Sequence, residues 1–180
     1  MGGRDKLLET VDGQPLLRRQ AIAALASGTP VTVVLPPGAH DRAAALAGLG
    51  CQTVIARRAK QGMGHSLAVG AASLPAGTAA LVLPADMPDI GTDALNLLIA
   101  AHDHDPAAIL RGATGSTPGH PVLIPADLVP ALTSLDGDTG ARQIVAQHPA
   151  RLRLVPLPGA AATTDLDTPA AWAAWRQTRT

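Results

Sequence analysis

The sequence predicts an α/β fold with a mostly parallel β-sheet. Short apolar runs alternate with Ala- and Leu-rich stretches of about ten residues, long enough for a crossover helix between parallel strands. Strands linked through such helices form right-handed βαβ units. The chain has 180 residues and shows no internal repeat, linker or low-complexity tail. We therefore expect residues 1–180 to form a single domain.

The predicted strands are short and apolar. Residues 31–35 (VTVVL) form a continuous run that is typical of a strand buried on both faces. Residues 151–157 alternate charged and apolar side chains, as expected of an edge strand with one face in water. The full set of predicted strands is 31–35, 52–56, 79–84, 107–111, 121–124 and 151–157.

The predicted helices lie between these strands. Pro15 in a first turn and Gly28 just beyond the end delimit a helix over residues 15–27. A loop is predicted over residues 112–119, which are rich in Gly, Ser, Thr and Pro. The full set of predicted helices is 15–27, 41–49, 64–74, 93–102, 126–134, 139–147 and 169–176.

The composition indicates a globular protein without a dominant charge. Fourteen basic side chains balance fourteen acidic ones, which argues against broad electrostatic binding of nucleic acid or membrane. Cys51 is the only cysteine, so no intrachain disulfide or cysteine-based zinc cluster is expected. The sequence shows no apolar run of membrane-spanning length and no signal-peptide pattern. We predict a cytoplasmic protein.

Three aspartates follow predicted strands or extended segments. Asp86 comes directly after AALVLP, so its carboxylate should emerge where open α/β sheets bind ligands. Asp165 and Asp167 share a face of the segment TTDLDTP, since residues two apart in an extended chain point the same way. Converging carboxylates can hold Mg²⁺ beside a triphosphate. The structural alternative is that Asp86 forms a turn and that Asp167 or Thr168 caps the helix starting at Pro169.

A glycine-rich loop enters a predicted helix at residues 61–66 (QGMGHS). Glycines allow close approach of backbone to a ligand and a helix N-terminus favours anions, although ordinary turns share this pattern. Lys6 could pair with phosphate or lie solvated on the surface, and His120 could donate to a ligand or face solvent. The six histidines show no HExxH or similar spacing, which argues against a zinc hydrolase.

The ordered set of motifs resembles the MobA-like NTP transferases. Residues 1–8 (MGGRDKLL) and 12–17 (DGQPLL) look like the second half of the family signature LAAGxSxRMG…K…GxPLL. The matching blocks that follow, in the family's order, are QGMGHSLAVGA, LVLPADMPDI, PGHPVLIP, LDGDTGAR and TDLDTP. The GHPV and GDxGAR blocks are similar to those of molybdenum cofactor cytidylyltransferases.

This resemblance implies a Rossmann-like three-layer α/β/α nucleotidyltransferase fold and a Mg²⁺-dependent reaction. A nucleotide, CMP in preference to GMP, would pass from an NTP to molybdopterin cofactor or a related phosphorylated acceptor, with release of pyrophosphate. Such transfer depends on positioning and charge stabilisation and needs no protein nucleophile. The implied partners are the nucleoside triphosphate, the phosphorylated acceptor, and a molybdoenzyme or its maturation chaperone.

The resemblance also assigns roles to single residues. Lys6 resembles the lysine that holds the triphosphate and Asp86 the metal-binding acid, and these two are the catalytic candidates. Asp165 corresponds best to the second metal ligand, with Asp167 as its close alternative. The nucleotide-binding candidates are Lys6, Gly62, Gly64, His65, Ser66 and Asp86. The acceptor-binding candidates are His120, Asp138 and Arg142.

One part of the family signature is missing. The family's first strand and its glycine-rich LAAGxSxR loop should precede Met1, so we expect a sheet that lacks this first strand. The loop normally supplies backbone N–H groups to the phosphates and separates the cytidine pattern LAAG from the guanosine pattern LAGG. A late-assigned start codon is the expected explanation, with a dedicated inactive form as the alternative.

Two other functions fit parts of the pattern. Proteins called nicotine blue oxidoreductases look similar in these blocks, but an NAD(P)H enzyme predicts a GxGxxG motif, which the sequence does not contain. A non-catalytic nucleotide- or cofactor-binding protein in molybdoenzyme maturation is favoured by the missing phosphate loop.

Overall fold

A computed structural model describes residues 5–138 and 140–177 of the chain. Alternating helices and strands build an α/β fold with mixed sheets. The helices are α1 (Leu16–Leu25), α2 (His40–Ala45), α3 (Met63–Ala72), α4 (Thr92–His104), α5 (Val129–Leu132), α6 (Arg142–Gln147) and α7 (Pro169–Gln177). The strands are β1 (Thr10–Val11), β2 (Gln14–Pro15), β3 (Thr32–Leu35), β4 (Gln52–Ile55), β5 (Ala80–Val82), β6 (Ile109–Thr114), β7 (Thr117–Ile124) and β8 (Leu152–Pro156).

The main sheet has four strands in the order β5-β7-β6-β8. The β6–β8 pairing is parallel, whereas β7 runs antiparallel to both β5 and β6. The β3–β4 pair forms a separate parallel sheet, and β1 and β2 form a small hairpin. The prediction of a mostly parallel sheet is therefore correct for β3–β4 and β6–β8 and wrong for the centre of the main sheet.

The antiparallel centre arises from a hairpin that the sequence analysis placed in a loop. Residues 112–119 were predicted to be irregular, but β6 continues to Thr114 and β7 begins at Thr117, with these two residues paired. The turn between them uses Gly115 at a positive φ of 58°, a conformation that glycine adopts without a steric cost. β8 pairs only with β6 among the described strands, which confirms its predicted position at the edge of the sheet.

Several helices are shorter than predicted, including α2, which ends at Ala45 where the prediction extends to residue 49. The predicted helix over residues 126–134 forms only over Val129–Leu132. The predicted helix over residues 139–147 begins at Arg142, and residue 139 lies outside the described part of the chain. Residues 1–4, which begin the MGGRDKLL motif, also lie outside it. None of the described helices is long and apolar enough to cross a membrane.

The two faces of the main sheet carry two apolar clusters because side chains alternate along each strand. Ile109 and Val122 point to one face and pack with α5 and α6, in a cluster that includes Leu132 and Ile144. Leu110, Leu123 and the other alternate residues point to the opposite face and pack with α4, in a cluster that includes Leu95 and Leu98. These clusters fix the strand ends at which the candidate site is built.

Helices α1 and α3 connect the β3–β4 sheet to the main sheet. Leu17 of α1 packs with Leu35 of β3, and the next turn of α1 donates a side-chain hydrogen bond from Gln20 to the carbonyl oxygen of Met87. In α3, Gly70 lies against Val34, where an added Cβ would come within 3.1 Å of the valine methyl group. Residues 31–34 are only half-buried, so the prediction of a strand buried on both faces is wrong for β3.

Candidate functional site

Three carboxylates meet beyond the carboxyl end of β5. Asp86 follows this strand after a short turn, while Asp165 and Asp167 belong to the extended segment that precedes α7. One carboxylate oxygen from each lies within 4.8 Å of the others. Leu166, between the two C-terminal aspartates, is buried beside Trp172 and fixes the segment in place. The arrangement brings together the three residues predicted to hold a metal.

Lys6 lies in the middle of this acidic cluster. Its ammonium group is 2.6 Å from Asp86 Oδ2 and also contacts Asp167 Oδ1. The lysine belongs to a 3₁₀ turn, Lys6–Leu8, whose N-cap is Asp5. The Asp5 carboxylate accepts a hydrogen bond from Leu7 N at 3.1 Å. It also accepts hydrogen bonds from Nε and Nη2 of Arg42, at 2.6 and 2.9 Å. Asp5 therefore positions the turn that carries Lys6.

The charges of the cluster act on one another. Burial raises the pKa of Asp165, and the neighbouring charges of Asp86 and Asp167 raise it further. The hydrogen bond from Lys6 lowers the pKa of Asp167. Burial acts to lower the pKa of Lys6, but its contacts with Asp167 and Asp86 outweigh burial, and this pKa is raised. Three converging carboxylates with one ammonium group carry a net negative charge, which is the environment that a divalent cation stabilises.

The glycine-rich loop before α3 packs against residues 135–140. Gly64 N donates a hydrogen bond to Gly137 O at 2.8 Å. Gly62 has a φ of 127°, and an added Cβ would lie 2.2 Å from the carbonyl carbon of Gly137. An added Cβ on Gly140 would lie 2.7 Å from the Met63 methyl group. The two loops therefore form one closely packed unit that only glycine at position 62 allows.

His65 and Asp136 join the same two loops through their side chains. His65 is 8% exposed, and its Nε2 lies 2.5 Å from Asp136 Oδ1. Arg58 lies 3.8 Å from the same carboxylate oxygen and donates to Gln61 Oε1 at 2.8 Å. Ser66, the remaining predicted nucleotide-binding residue, is half-buried in the first turn of α3.

The predicted acceptor-binding residues lie in three places. His120 lies on β7, where burial and the charge of Arg111 lower its pKa and the charge of Asp86 partly opposes this effect. Arg142 is exposed at the start of α6. Asp138 lies in the loop that contacts Gly62, where an added Cβ would approach its backbone nitrogen to 2.6 Å.

The structure thus forms two neighbourhoods from the predicted residues. Lys6 contacts Asp86 and Asp167, and a carboxylate oxygen of Asp165 lies within 4.8 Å of theirs. The charge of Asp86 also acts on the pKa of His120. Gly62, Gly64 and His65 contact the 135–140 loop instead, and none of the described hydrogen bonds and ion pairs connects them to the acidic cluster. The N–H of Gly64 at the start of α3 already donates to the carbonyl oxygen of Gly137 in this structure.

Sequence analysis missed four residues that organise these neighbourhoods: Asp5, Arg42, Arg111 and Asp136. Asp5 stands directly before Lys6, and Asp136 lies inside the LDGDTGAR block, so both were within motifs already identified. Arg111 interrupts an apolar strand with a charge, which is a signal that a sequence can show. The pairing of Asp5 with Arg42 spans 37 positions and has no local signal.

Comparison with solved structures places the fold among the nucleotidyltransferases. Rv0371c from Mycobacterium tuberculosis H37Rv in complex with manganese superposes with a TM-score of 0.82 at 21% identity, over 96% of this chain and 91% of that chain. A nucleotidyl transferase from Methanothermobacter has a TM-score of 0.80 at 20% identity, over 96% of this chain and 84% of that one. Molybdopterin-guanine dinucleotide biosynthesis protein A from Archaeoglobus fulgidus has a TM-score of 0.68 at 12% identity, over 98% and 91%.

The sequence itself shows the family. Residues 1–152 match the model of the MobA-like NTP transferase domain. The chain therefore belongs to the MobA-like NTP transferase family and is a nucleotidyltransferase, as the motifs predicted. No curated protein matches the chain in a sequence search.

Proposed function

We propose that this protein transfers a nucleotide, CMP in preference to GMP, from a nucleoside triphosphate to molybdopterin cofactor or a related phosphorylated acceptor, releasing pyrophosphate. The observation that carries this proposal is the convergence of Asp86, Asp165 and Asp167 within 4.8 Å, with Lys6 in contact with two of them. The LVLPADMPDI and TDLDTP blocks that carry these residues resemble the MobA-like NTP transferases, and the GHPV and GDxGAR blocks resemble the cytidylyltransferase branch.

The three aspartates fit Mg²⁺. They offer only oxygen ligands, the kind that Mg²⁺ prefers, and two of them are exposed, which leaves room for water and phosphate in the coordination shell. A divalent cation bound there would offset the charge of the triphosphate. The manganese in the complex of Rv0371c, which has a similar fold, also supports a divalent metal in this protein.

The reaction needs orientation more than it needs a nucleophilic side chain. An oxygen of the acceptor phosphate attacks the α-phosphorus of the triphosphate, the bond from that phosphorus to the bridging oxygen breaks, and pyrophosphate leaves with the electron pair. Lys6 is suited to hold the negatively charged triphosphate because its ammonium group is fixed by Asp86 and by the turn that Asp5 caps. Burial and the charge of Arg111 lower the pKa of His120, which favours the neutral imidazole, and a neutral imidazole can donate one hydrogen bond and accept another at the acceptor.

The glycine-rich loop is the candidate for base and ribose recognition. Gly62, Gly64, His65 and Ser66 lie together at the start of α3, and the backbone at Gly62 and Gly64 packs closely against the 135–140 loop. A rigid loop selects one base shape more sharply than a mobile one because less ordering is needed on binding. The GMGHSL sequence of this loop favours CTP over GTP by its resemblance to the cytidylyl branch.

The experiment that tests the proposed activity combines transfer with a stability measurement. Asp86→Ala should abolish the release of pyrophosphate from Mg-CTP in the presence of molybdopterin, because it removes the carboxylate that contacts Lys6 and that would bind the metal. The melting temperature should change by no more than a few degrees, since Asp86 lies at the rim of the sheet. Asp103→Ala, which removes an exposed carboxylate from α4, is the matched control. A folded Asp86→Ala protein with near-normal transfer would refute the metal-site assignment.

The preferred base is tested separately by calorimetry. Titration of the protein with CTP and with GTP in the presence of Mg²⁺ should give the tighter binding for CTP. Equal affinities, or tighter binding of GTP, would remove the protein from the cytidylyl branch while leaving the transferase assignment in place.

A further inference from the structure

Arg111 is a half-buried guanidinium without a carboxylate partner in the described residues. Its Nε donates to the carbonyl oxygen of Gly119 at 2.8 Å, which fixes the planar group against β7. No ion pair of the described chain includes Arg111. Burial lowers the pKa of Arg111, and the charge of Arg142 lowers it further. A half-buried cation beside a second cation is costly unless an anion joins them.

Other half-buried arginines of this protein do have partners for their terminal nitrogens. Arg18 donates from Nη1 to the carbonyl oxygens of Ala45 and Ala47, at 2.8 and 3.0 Å. Arg151 pairs with both carboxylate oxygens of Asp127, at 2.7 and 2.8 Å. The bonding of Arg111 through Nε alone leaves both terminal nitrogens of its fork without a partner among the described residues.

The fold places Arg111 and Arg142 on the same face of the main sheet. Arg111 lies two residues after Ile109 on β6 and is paired with Val122 on β7. Ile109 and Val122 belong to the apolar cluster that packs with α6, so the Arg111 side chain points to the same face of the sheet. Arg142 is the first residue of α6. The carbonyl oxygen of Gly119 accepts the hydrogen bond from Arg111 Nε. The next residue, His120, donates a hydrogen bond from its backbone nitrogen to Ala162 O at 2.8 Å. Ala162 leads directly into the segment that carries Asp165, so this cationic face adjoins the acidic cluster.

We propose that Arg111 and Arg142 form a phosphate-binding subsite for the acceptor, beside the acidic cluster. A guanidinium offers paired N–H donors that match two oxygens of a phosphate, and two such groups suit a dianion. This assignment rests on the proposed transfer reaction: the acidic cluster serves the triphosphate, and the arginine pair holds the phosphate that attacks it. Arg111 thereby becomes a specificity-determining residue, since an acceptor without a phosphate would leave the cationic pair uncompensated.

Inorganic phosphate is the probe for this subsite, because its binding can be measured without any turnover. Titration of the full chain by calorimetry should show phosphate binding, weakened roughly ten- to hundredfold by Arg111→Gln, as expected for lost hydrogen bonds between charged groups. Arg111→Lys should retain part of the affinity because it keeps the charge and loses the fork. Arg153→Gln is the matched control. Arg153 lies on β8 beside Leu154, the residue that pairs with Arg111, but the Arg153 side chain points to the opposite face of the sheet.

The outcomes separate this inference from the proposed function. Phosphate binding that is lost in Arg111→Gln and kept in Arg153→Gln supports the subsite. Absence of phosphate binding in the natural chain, or equal binding by Arg111→Gln, overturns it. If Arg111→Gln does not fold, Arg142→Gln replaces it, because Arg142 is exposed and its loss leaves the core intact. A natural chain that binds phosphate but neither binds nor turns over Mg-CTP would refute the proposed transfer and leave the phosphate site standing.

Discussion

The acidic cluster is assembled by side chains from three distant segments of the chain, whereas the glycine-rich loop is held by backbone contacts with one neighbouring loop. In the cluster, Lys6 bonds to aspartates 80 and 161 positions away. In the loop, the backbone of Gly137 approaches so closely that a Cβ on Gly62 would lie 2.2 Å from it. The first neighbourhood depends on charge, and the second depends on the absence of side-chain atoms.

This difference predicts two kinds of sensitivity. Removing a carboxylate from the rim of the sheet changes the local charge but leaves the backbone in place, so the main effect falls on metal and triphosphate binding. Adding a methyl group to the loop displaces backbone, so the effect falls on the fold and on every ligand that the loop positions.

Gly62→Ala should strongly destabilise the glycine-rich loop. The φ of 127° is strained for any L-residue, and the Cβ would collide with the Gly137 backbone. Together these effects should lower the free energy of unfolding by about 3 kcal/mol or more. Urea unfolding measures this loss, and calorimetry should show that Mg-CTP binding is lost with it.

Gly28→Ala is the matched control for this variant. Gly28 has a positive φ of 78°, but nothing lies within 4 Å of an added Cβ. Its substitution should cost only about 1 kcal/mol, from backbone strain alone. Equal losses for the two variants would show that the collision between the two loops does not matter and that strain explains the whole effect.

The sequence predicts the acidic cluster better than it predicts the packing of the glycine-rich loop. Asp86 and the Asp165–Asp167 pair could be placed at one rim because strand ends in an α/β fold meet there, and the structure brings them within 4.8 Å. The contact between the glycine loop and residues 135–140 has no local signal, because it depends on how two loops pack after the sheet has formed. Arg111 can be recognised in the sequence as a charged residue within an apolar strand, although it lies outside the family motifs.

The sequence also predicts the fold class better than it predicts which strands pair. Alternating helices and strands predicted an α/β fold, and the family match and the similar structures bear this out. The antiparallel hairpin of β6 and β7 replaced a predicted loop, because the Gly-Ser-Thr-Pro composition of residues 112–119 suits a turn and its flanking strands equally well. Pairing across Thr114 and Thr117 is decided by burial of the neighbouring apolar residues against α4, α5 and α6, which a local pattern does not report.

Asp136→Ala should loosen the glycine loop by a smaller amount. The carboxylate lies 2.5 Å from His65 Nε2 and 3.8 Å from Arg58, but it is largely exposed, so its contribution is screened by water. Tryptic cleavage after Arg57, Arg58 and Lys60, which flank this loop, should accelerate roughly two- to fivefold. Cleavage rates are measured from peptide masses over time, with Asp103→Ala as the control; unchanged rates at these three bonds would mean that the Gly64–Gly137 backbone bond alone holds the loop.

Asp5→Asn tests the side-chain anchoring of the Lys6 turn and should have the smallest effect. The hydrogen bond from Arg42 lowers the pKa of Asp5 below its ordinary value of 3.8. A carboxyl whose pKa is lowered in the folded state contributes stability that is present above the ordinary value and lost as the pH falls through the lowered value. Asparagine can still cap the turn, so the variant removes mainly the charge.

At pH 7 the natural protein should be more stable than Asp5→Asn by about 0.5 to 1 kcal/mol, a discounted value because both partners are partly exposed to water. The difference should shrink as the pH falls below 3.8, where the native carboxyl becomes protonated and resembles the amide. Urea unfolding of both proteins at pH 7, 5 and 3 gives the profile. A stability difference that stays constant across this range would show that Asp5 acts through the shape of the turn and that its ion pair with Arg42 does not hold Lys6 in the acidic cluster.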